Sequence, residues 1–284
     1  MKAKHHNIML CAALVLGAWA VLPGCQPGKN SIAPSGEQAG SALMNSPRHG
    51  EWVDVPAGEG DTPVRSWIVY PQREGPAPVV IVIHEIYGMT DWIRAVTDQL
   101  AAEGFLAIAP DLLSGKGSDG GGSETFSKDS ARSAIRQLDP DEVVRRLNAV
   151  GNYARKLSSS TNQTGVMGFC WGGRTAFLYA TRQPKLDAAV VFYGTAPDDE
   201  QALADIRAPV LGLYGGDDAR VTSTVSDTRK SMEKLGKKYR TEIFEGAGHG
   251  FMRQQSGRDG ANQQAAKIAW PMAVSYLEQH LKSK

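Results

Sequence analysis

Apolar residues in this chain recur with two different periods, and the way those periods alternate predicts its architecture. Residues 52–55 and 64–70 alternate well enough to be the strands of an early hairpin. Residues 79–83 (VVIVI) are a continuous β-branched run, as in a strand buried on both faces. Residues 90–103 place apolar side chains at helical spacing, and Gly104 follows where a helix C-terminus favours glycine. Further short apolar strands are predicted at 105–109, 164–169, 188–193, 210–214 and 239–244. Further helices are predicted at 141–157, 172–183, 222–235 and 263–281. Strands that alternate with helices predict an α/β fold, a mostly parallel central sheet flanked by helices on both faces. No internal repeat or second linker interrupts residues 49–284, which read as one domain.

The amino-terminal part follows other rules. Lys2 and Lys4 precede an uncharged apolar run from residue 8 to 22, which Pro23 and Gly24 end. That run is shorter than a membrane-spanning helix needs, so residues 1–24 read as a signal peptide. Leu22-Pro23-Gly24-Cys25 resembles the lipobox of bacterial lipoproteins, which implies lipidation of Cys25. Gln26 stands where an inner-membrane retention signal has Asp, which implies the outer membrane in a cell that has one. Residues 25–48, rich in Gly, Ser, Pro and Gln without apolar periodicity, read as a flexible tether. The expected location is therefore the cell envelope on the periplasmic side, with a soluble periplasmic or secreted form as the alternative.

Composition narrows the chemistry. The 284 residues are 42% hydrophobic and 21% charged, ordinary for a folded soluble protein. A formal charge of +1 without a basic block gives no reason to expect a nucleic-acid partner. Three cysteines cannot build a disulfide scaffold, and loss of Cys11 with acylation of Cys25 would leave Cys170 the lone free thiol. No paired-cysteine or H-x-x-x-H spacing predicts a metal site, and neither a phosphate loop nor G-x-G-x-x-G occurs, so no cofactor is expected.

The candidate chemistry lies where predicted strands end. Gly168-Phe169-Cys170-Trp171-Gly172 is the G-x-S-x-G nucleophile-elbow pattern with cysteine in place of serine. Small residues two positions away on either side permit the sharp strand-to-helix turn, and the helix N-terminus favours a thiolate there. Asp217 and Asp218 follow the strand at 210–214, and sequence physics does not choose between them. His249 follows the strand at 239–244, giving the order nucleophile, acid, histidine. Of the other histidines left after signal removal, His49 falls in or beside the tether and His280 on the last helix. His84, leaving a buried strand, reads as a structural hydrogen-bonder, and Glu85 beside it as either a helix-terminal charge or a site group.

Five segments together resemble the dienelactone hydrolase family over nearly all of residues 50–284. They are HEIYG (84–88), PDLL (110–113), GFCWGG (168–173), YGGDD with a valine at 221 (214–221) and AGHGFMR (247–253). The resemblance implies an α/β-hydrolase fold and a lactone- or small-ester-hydrolysing enzyme that works through a cysteinyl acyl-enzyme. It implies Cys170 as nucleophile, His249 as base, Asp218 as acid and Glu85 as a carboxylate that interacts with the cysteine. It also implies an oxyanion hole from the backbone N–H groups of Ile86 and Trp171, and Arg253 as binder of a substrate carboxylate. Enzymes that act on dienelactone itself carry a second arginine shortly after the Pro-Asp-Leu turn. Here that stretch is Ser114-Gly115-Lys116, so Lys116 is the nearest substitute. Residues 117–127 read as a mobile surface loop with a lid as one role. A monomer acting on a small molecule is expected, touching a membrane only through its anchor. The alternatives are a thioesterase or acyl-transfer enzyme on the same residues, a non-catalytic envelope binding protein, and a redox sensor, the last weakened by the lack of a resolving cysteine.

Overall fold

The computed structural model describes residues 32–58 and 60–282; the predicted signal peptide and Cys25 lie outside the described residues. The strands are β1 (Gly50–Val55), β2 (Val64–Val69), β3 (Ala77–Ile83), β4 (Leu106–Pro110), β5 (Ser160–Phe169), β6 (Ala188–Phe192), β7 (Val210–Gly215) and β8 (Tyr239–Phe244). The helices are α1 (Ala39–Met44), α2 (Asp91–Ala102), α3 (Lys128–Arg136), α4 (Pro140–Arg155), α5 (Trp171–Arg182), α6 (Glu200–Leu203), α7 (Ala219–Lys234) and α8 (Ala261–Leu281). One eight-stranded sheet runs β1-β2-β4-β3-β5-β6-β7-β8. The β1-β2 hairpin is antiparallel and β2 joins β4 antiparallel, whereas β4-β3-β5-β6-β7-β8 are parallel throughout.

Burial on both faces explains the unbroken apolar strands. In β3, Val80 and Val82 face one layer with Trp92 and Val96 of α2 and Trp270 and Leu277 of α8. Val79, Ile81 and Ile83 face the other with Leu147 and Val150 of α4 and Phe177 and Ala180 of α5. Successive side chains point to opposite sides, so a strand covered twice must be apolar at every position. Because the strands are parallel, β3, β5, β6, β7 and β8 all end on the same edge of the sheet. That edge gathers the polar residues that follow them.

Two expectations are corrected. Residues 32–48 were expected within a tether, yet they pack against the domain: Ala33 and Ala39 are buried, and the Trp92 indole N–H donates to the Pro34 carbonyl at 2.9 Å. Ser46 Oγ donates to Asp98 at 2.6 Å, and the Arg48 guanidinium pairs with the same carboxylate at 2.5 Å. These links are polar and distant in sequence, so composition and periodicity do not reveal them. The Gly-rich stretch 117–127, expected as a mobile loop, is pinned at Ser123, whose N–H and hydroxyl donate to the two oxygens of buried Asp111 at 2.7 and 2.6 Å. The Met89 N–H donates to Ser123 Oγ at 2.9 Å, tying the loop to the turn after β3.

Candidate active site

Cys170 is the residue between β5 and α5, and its backbone is held at φ 57° and ψ −116°. Such a conformation costs a non-glycine residue on the order of 1–3 kcal/mol and persists only where the surroundings enforce it. Here the surroundings are backbone. A Cβ on Gly168 would lie 1.9 Å from the Gly172 carbonyl oxygen, and one on Gly172 would lie 2.3 Å from the Ile83 oxygen. The elbow is therefore pressed against β3, with the Cys170 N–H donating to the Phe192 carbonyl of β6 at 3.0 Å. The thiol is half-buried at the sheet edge.

The loop after β8 brings His249 to that thiol, with Nε2 3.0 Å from Sγ. Nδ1–H donates to Asp218 Oδ2 at 2.5 Å, and the Asp218 carboxylate is buried at the start of α7. Asp217 instead faces solvent in an ion pair with Arg258 at 3.0 Å. The fold thus separates the two aspartates that sequence physics left undecided: only Asp218 meets the histidine. Burial disfavours the charged imidazolium, but the hydrogen bonds and charges of Asp218 and Cys170 outweigh it and raise the His249 pKa to about 9.

Glu85 lies almost fully buried past the end of β3 and receives a 2.5 Å hydrogen bond from Arg253 Nε. Burial raises its pKa, and the Arg253 charge opposes that rise. The structure therefore joins Glu85 to Arg253. The Arg253 guanidinium also lies over the Tyr87 ring, 5.2 Å from its centroid. His84 has a structural place: one ring nitrogen meets the Glu85 carbonyl at 2.8 Å, the other accepts from the Leu112 N–H at 3.2 Å, and the ring stacks on Trp171. Lys116 is held by Glu142 of α4 at 2.9 Å and is not brought beside Arg253. Ile86 belongs to the turn after β3, and the Trp171 N–H opens α5, where a helix leaves its first donors unpaired.

One residue at this edge escaped the sequence reading. Tyr193 follows β6 at φ 40°, packs its ring edge-on to His249 with centroids 5.1 Å apart, and keeps a buried hydroxyl without a hydrogen-bond partner. Burial, then the Glu85 and Cys170 charges, raise its pKa well above the ordinary tyrosine value. Its signal was its position, since it ends a strand beside the elbow. Among the described residues no group of three or more His, Cys, Asp or Glu side chains is placed to hold a metal ion.

Comparison with known proteins gives the family of the chain. The sequence model of the dienelactone hydrolase family matches residues 64–281. A protein of Salmonella typhimurium provisionally named carboxymethylenebutenolidase is 32% identical over 217 residues, covering 73% of this chain and 79% of that protein. A Bradyrhizobium protein provisionally named 2-oxo-3-(5-oxofuran-2-ylidene)propanoate lactonase is 29% identical, covering 82% of this chain and 96% of that protein. The crystal structure of a protein from Klebsiella pneumoniae, provisionally named dienelactone hydrolase, superposes with a TM-score of 0.71 at 28% identity, covering 82% of this chain and 99% of that one. The chain belongs to the dienelactone hydrolase family and is a hydrolase of the α/β-hydrolase fold.

Proposed function

We infer that the protein hydrolyses lactones or small esters through a cysteinyl acyl-enzyme on Cys170. The observation that carries this reading is the line Asp218–His249–Cys170, with contacts of 2.5 and 3.0 Å at the end of a strained elbow. In the first half-reaction Sγ attacks the carbonyl carbon with its proton held on His249 Nε2, whose imidazolium form Asp218 stabilises. The N–H groups of Ile86 and Trp171 receive the oxyanion. The C–O bond breaks, and the leaving oxygen takes the proton back from His249. In a lactone that oxygen stays tethered to the acyl group, so water must intercept the thioester before the ring recloses. His249 then deprotonates that water, which displaces Sγ and releases the acid.

Arg253 and Glu85 support a preference for substrates that carry a carboxylate. A substrate carboxylate competing for Arg253 would loosen its hold on Glu85, whose negative charge then favours the imidazolium form of His249 and so the thiolate. The Bradyrhizobium relative is named for a lactone that bears a carboxylate, in keeping with this preference. Residues 114–116 hold no arginine where the dienelactone enzymes carry their second one, so Arg253 is the one arginine assigned to the substrate carboxylate. The same reading places the domain in the cell envelope, on the strength of Lys2, Lys4, the apolar run and Cys25.

The test is a screen of lactones, aryl esters and thioesters with and without iodoacetamide. Turnover of lactone or aryl ester that alkylation of Cys170 abolishes supports the reading. A strong preference for thioesters would favour a thioesterase. Turnover that survives alkylation of Cys170 would overturn the mechanism.

A further inference from the structure

We propose that the amino-terminal arm, residues 33–38, is an active-site element that positions Arg253 and so sets the preference for acidic substrates. This rests on the assignment of Arg253 as the carboxylate-binding residue.

The arm lies directly on the arginine. The Gly36 N–H donates to the Arg253 carbonyl at 2.8 Å. A Cβ on Gly36 would stand 3.0 Å from Arg253 Cγ and 3.7 Å from Cδ, so the bare glycine backbone forms one wall along the aliphatic stem. The loop beyond the arginine is tied to the same arm. Buried Gln255 donates through Nε2 to the Ala33 carbonyl at 2.9 Å and to the Met252 carbonyl at 3.0 Å, and Ser256 Oγ donates to Glu37 at 3.0 Å.

The arm is itself fixed. Ser35 and Gln38 cap each other, with the Ser35 N–H donating to Gln38 Oε1 at 3.1 Å and the Gln38 N–H to Ser35 Oγ at 3.3 Å. Trp92 of α2 holds the Pro34 carbonyl, and Ala33 is fully buried in the core. Rigidity is thus passed from α2 through the arm to the segment that carries both His249 and Arg253.

The functional consequence lies in preorganisation. An arginine side chain has much rotamer freedom, and a ligand that must freeze it binds less tightly. Here Nε is occupied by Glu85, the guanidinium rests over Tyr87 and the stem runs along Gly36. The terminal nitrogens make no hydrogen bond to the described residues and are held ready for a carboxylate. Arm and arginine are far apart in sequence, and the arm precedes the segment that the family model matches.

The experiment is a double-mutant cycle in the full chain between Gly36→Val and Arg253→Ala. It is read as the ratio of kcat/KM for para-nitrophenyl hydrogen glutarate over para-nitrophenyl butyrate. Gly36→Val should lower that ratio by about fivefold or more, through KM for the acidic ester. In the Arg253→Ala background Gly36→Val should change the ratio by less than about twofold, because the group it acts through is gone. Gly36→Ala, whose methyl group asks the stem to yield by only a few tenths of an ångström, should show the same direction at smaller size, and it stands in if valine unfolds the arm. Equal losses on both esters, or an undiminished effect without Arg253, would mean that the arm only supports the fold. If Arg253→Ala lowers the ratio and neither Gly36 variant does, the arm proposal fails while the carboxylate reading stands. If Arg253→Ala itself leaves the ratio unchanged, both fail.

Discussion

Asp217 and Asp218 are adjacent and identical in chemistry, yet replacing each by asparagine should have very different effects. Asp218→Asn keeps the size of the side chain, and because the Asp218 side chain makes no cap hydrogen bond to α7, the start of that helix loses nothing. It removes the charge beside His249 and presents an amide that can turn the imidazole to the wrong tautomer, so that Nε2 carries the proton and cannot accept one from Cys170. The His249 pKa stands at about 9 against an ordinary 6.5. At about 1.4 kcal/mol per pKa unit, this represents roughly 3 kcal/mol favouring the imidazolium. Asp218 and Cys170 share that sum, and solvent screens part of it because 32% of the His249 side chain is exposed. Losing Asp218's share and the correct tautomer together should lower kcat/KM by about 10²–10⁴-fold. Asp217 pairs only with the half-exposed Arg258, an interaction worth about 0–1 kcal/mol, so Asp217→Asn should stay within roughly threefold of the parent. The assay is steady-state hydrolysis of para-nitrophenyl butyrate by both variants, with thermal melts to confirm folding. An Asp217→Asn loss equal to that of Asp218→Asn, or an Asp218→Asn enzyme keeping a third of its activity, would refute the reasoning.

Gly172→Ala puts a methyl group 2.3 Å from the Ile83 oxygen and 2.4 Å from that of His84, both main-chain atoms. It should cost stability on the order of 3 kcal/mol or more, seen as a large drop in melting temperature. Because His249 is raised to about 9, its contribution to stability is full below pH 6.5 and is lost as pH rises towards 9. His249→Gln should therefore lose less stability than the parent between pH 6 and 9.5 in urea titrations; parallel losses would contradict the raised pKa. Tyr193→Phe removes a buried hydroxyl that has no partner, so its melting temperature should be unchanged or higher, and a marked fall would show that the hydroxyl is bonded.

The sheet was legible because strands covered on both faces must be apolar at every position, and the elbow because a thiol on a tight turn needs Gly168 and Gly172. The order of Cys170, an aspartate and His249 could also be read directly, although only the fold separates Asp218, which meets His249, from Asp217, which meets Arg258. What could not be read depends on pairs that only folding brings together. Gln255 reaches Ala33 across 222 positions and Arg253 reaches Glu85 across 168, and no local period marks either. The arm buries only the small side chains of Ala33 and Ser35 and is held mostly through its backbone, so its composition looks like that of a tether. Residues 117–127 are ordered by Asp111, whose carboxylate meets Ser123 twelve positions later. Helix α3 went unseen because only Ala131 and Ile135 are buried on it, one pair where a longer stripe would be needed to show a period.

The central claim is that acyl transfer passes through Cys170. The most direct measurement is intact-protein and peptide mass spectrometry of enzyme quenched with acid within the first turnovers on para-nitrophenyl butyrate. The account predicts a butyryl increment on the peptide that contains Cys170, formed with a burst of nitrophenol and absent from Cys170→Ala, which should fold normally and turn over no substrate. Parent-like hydrolysis by Cys170→Ala, or an acyl group found on another residue, would contradict it.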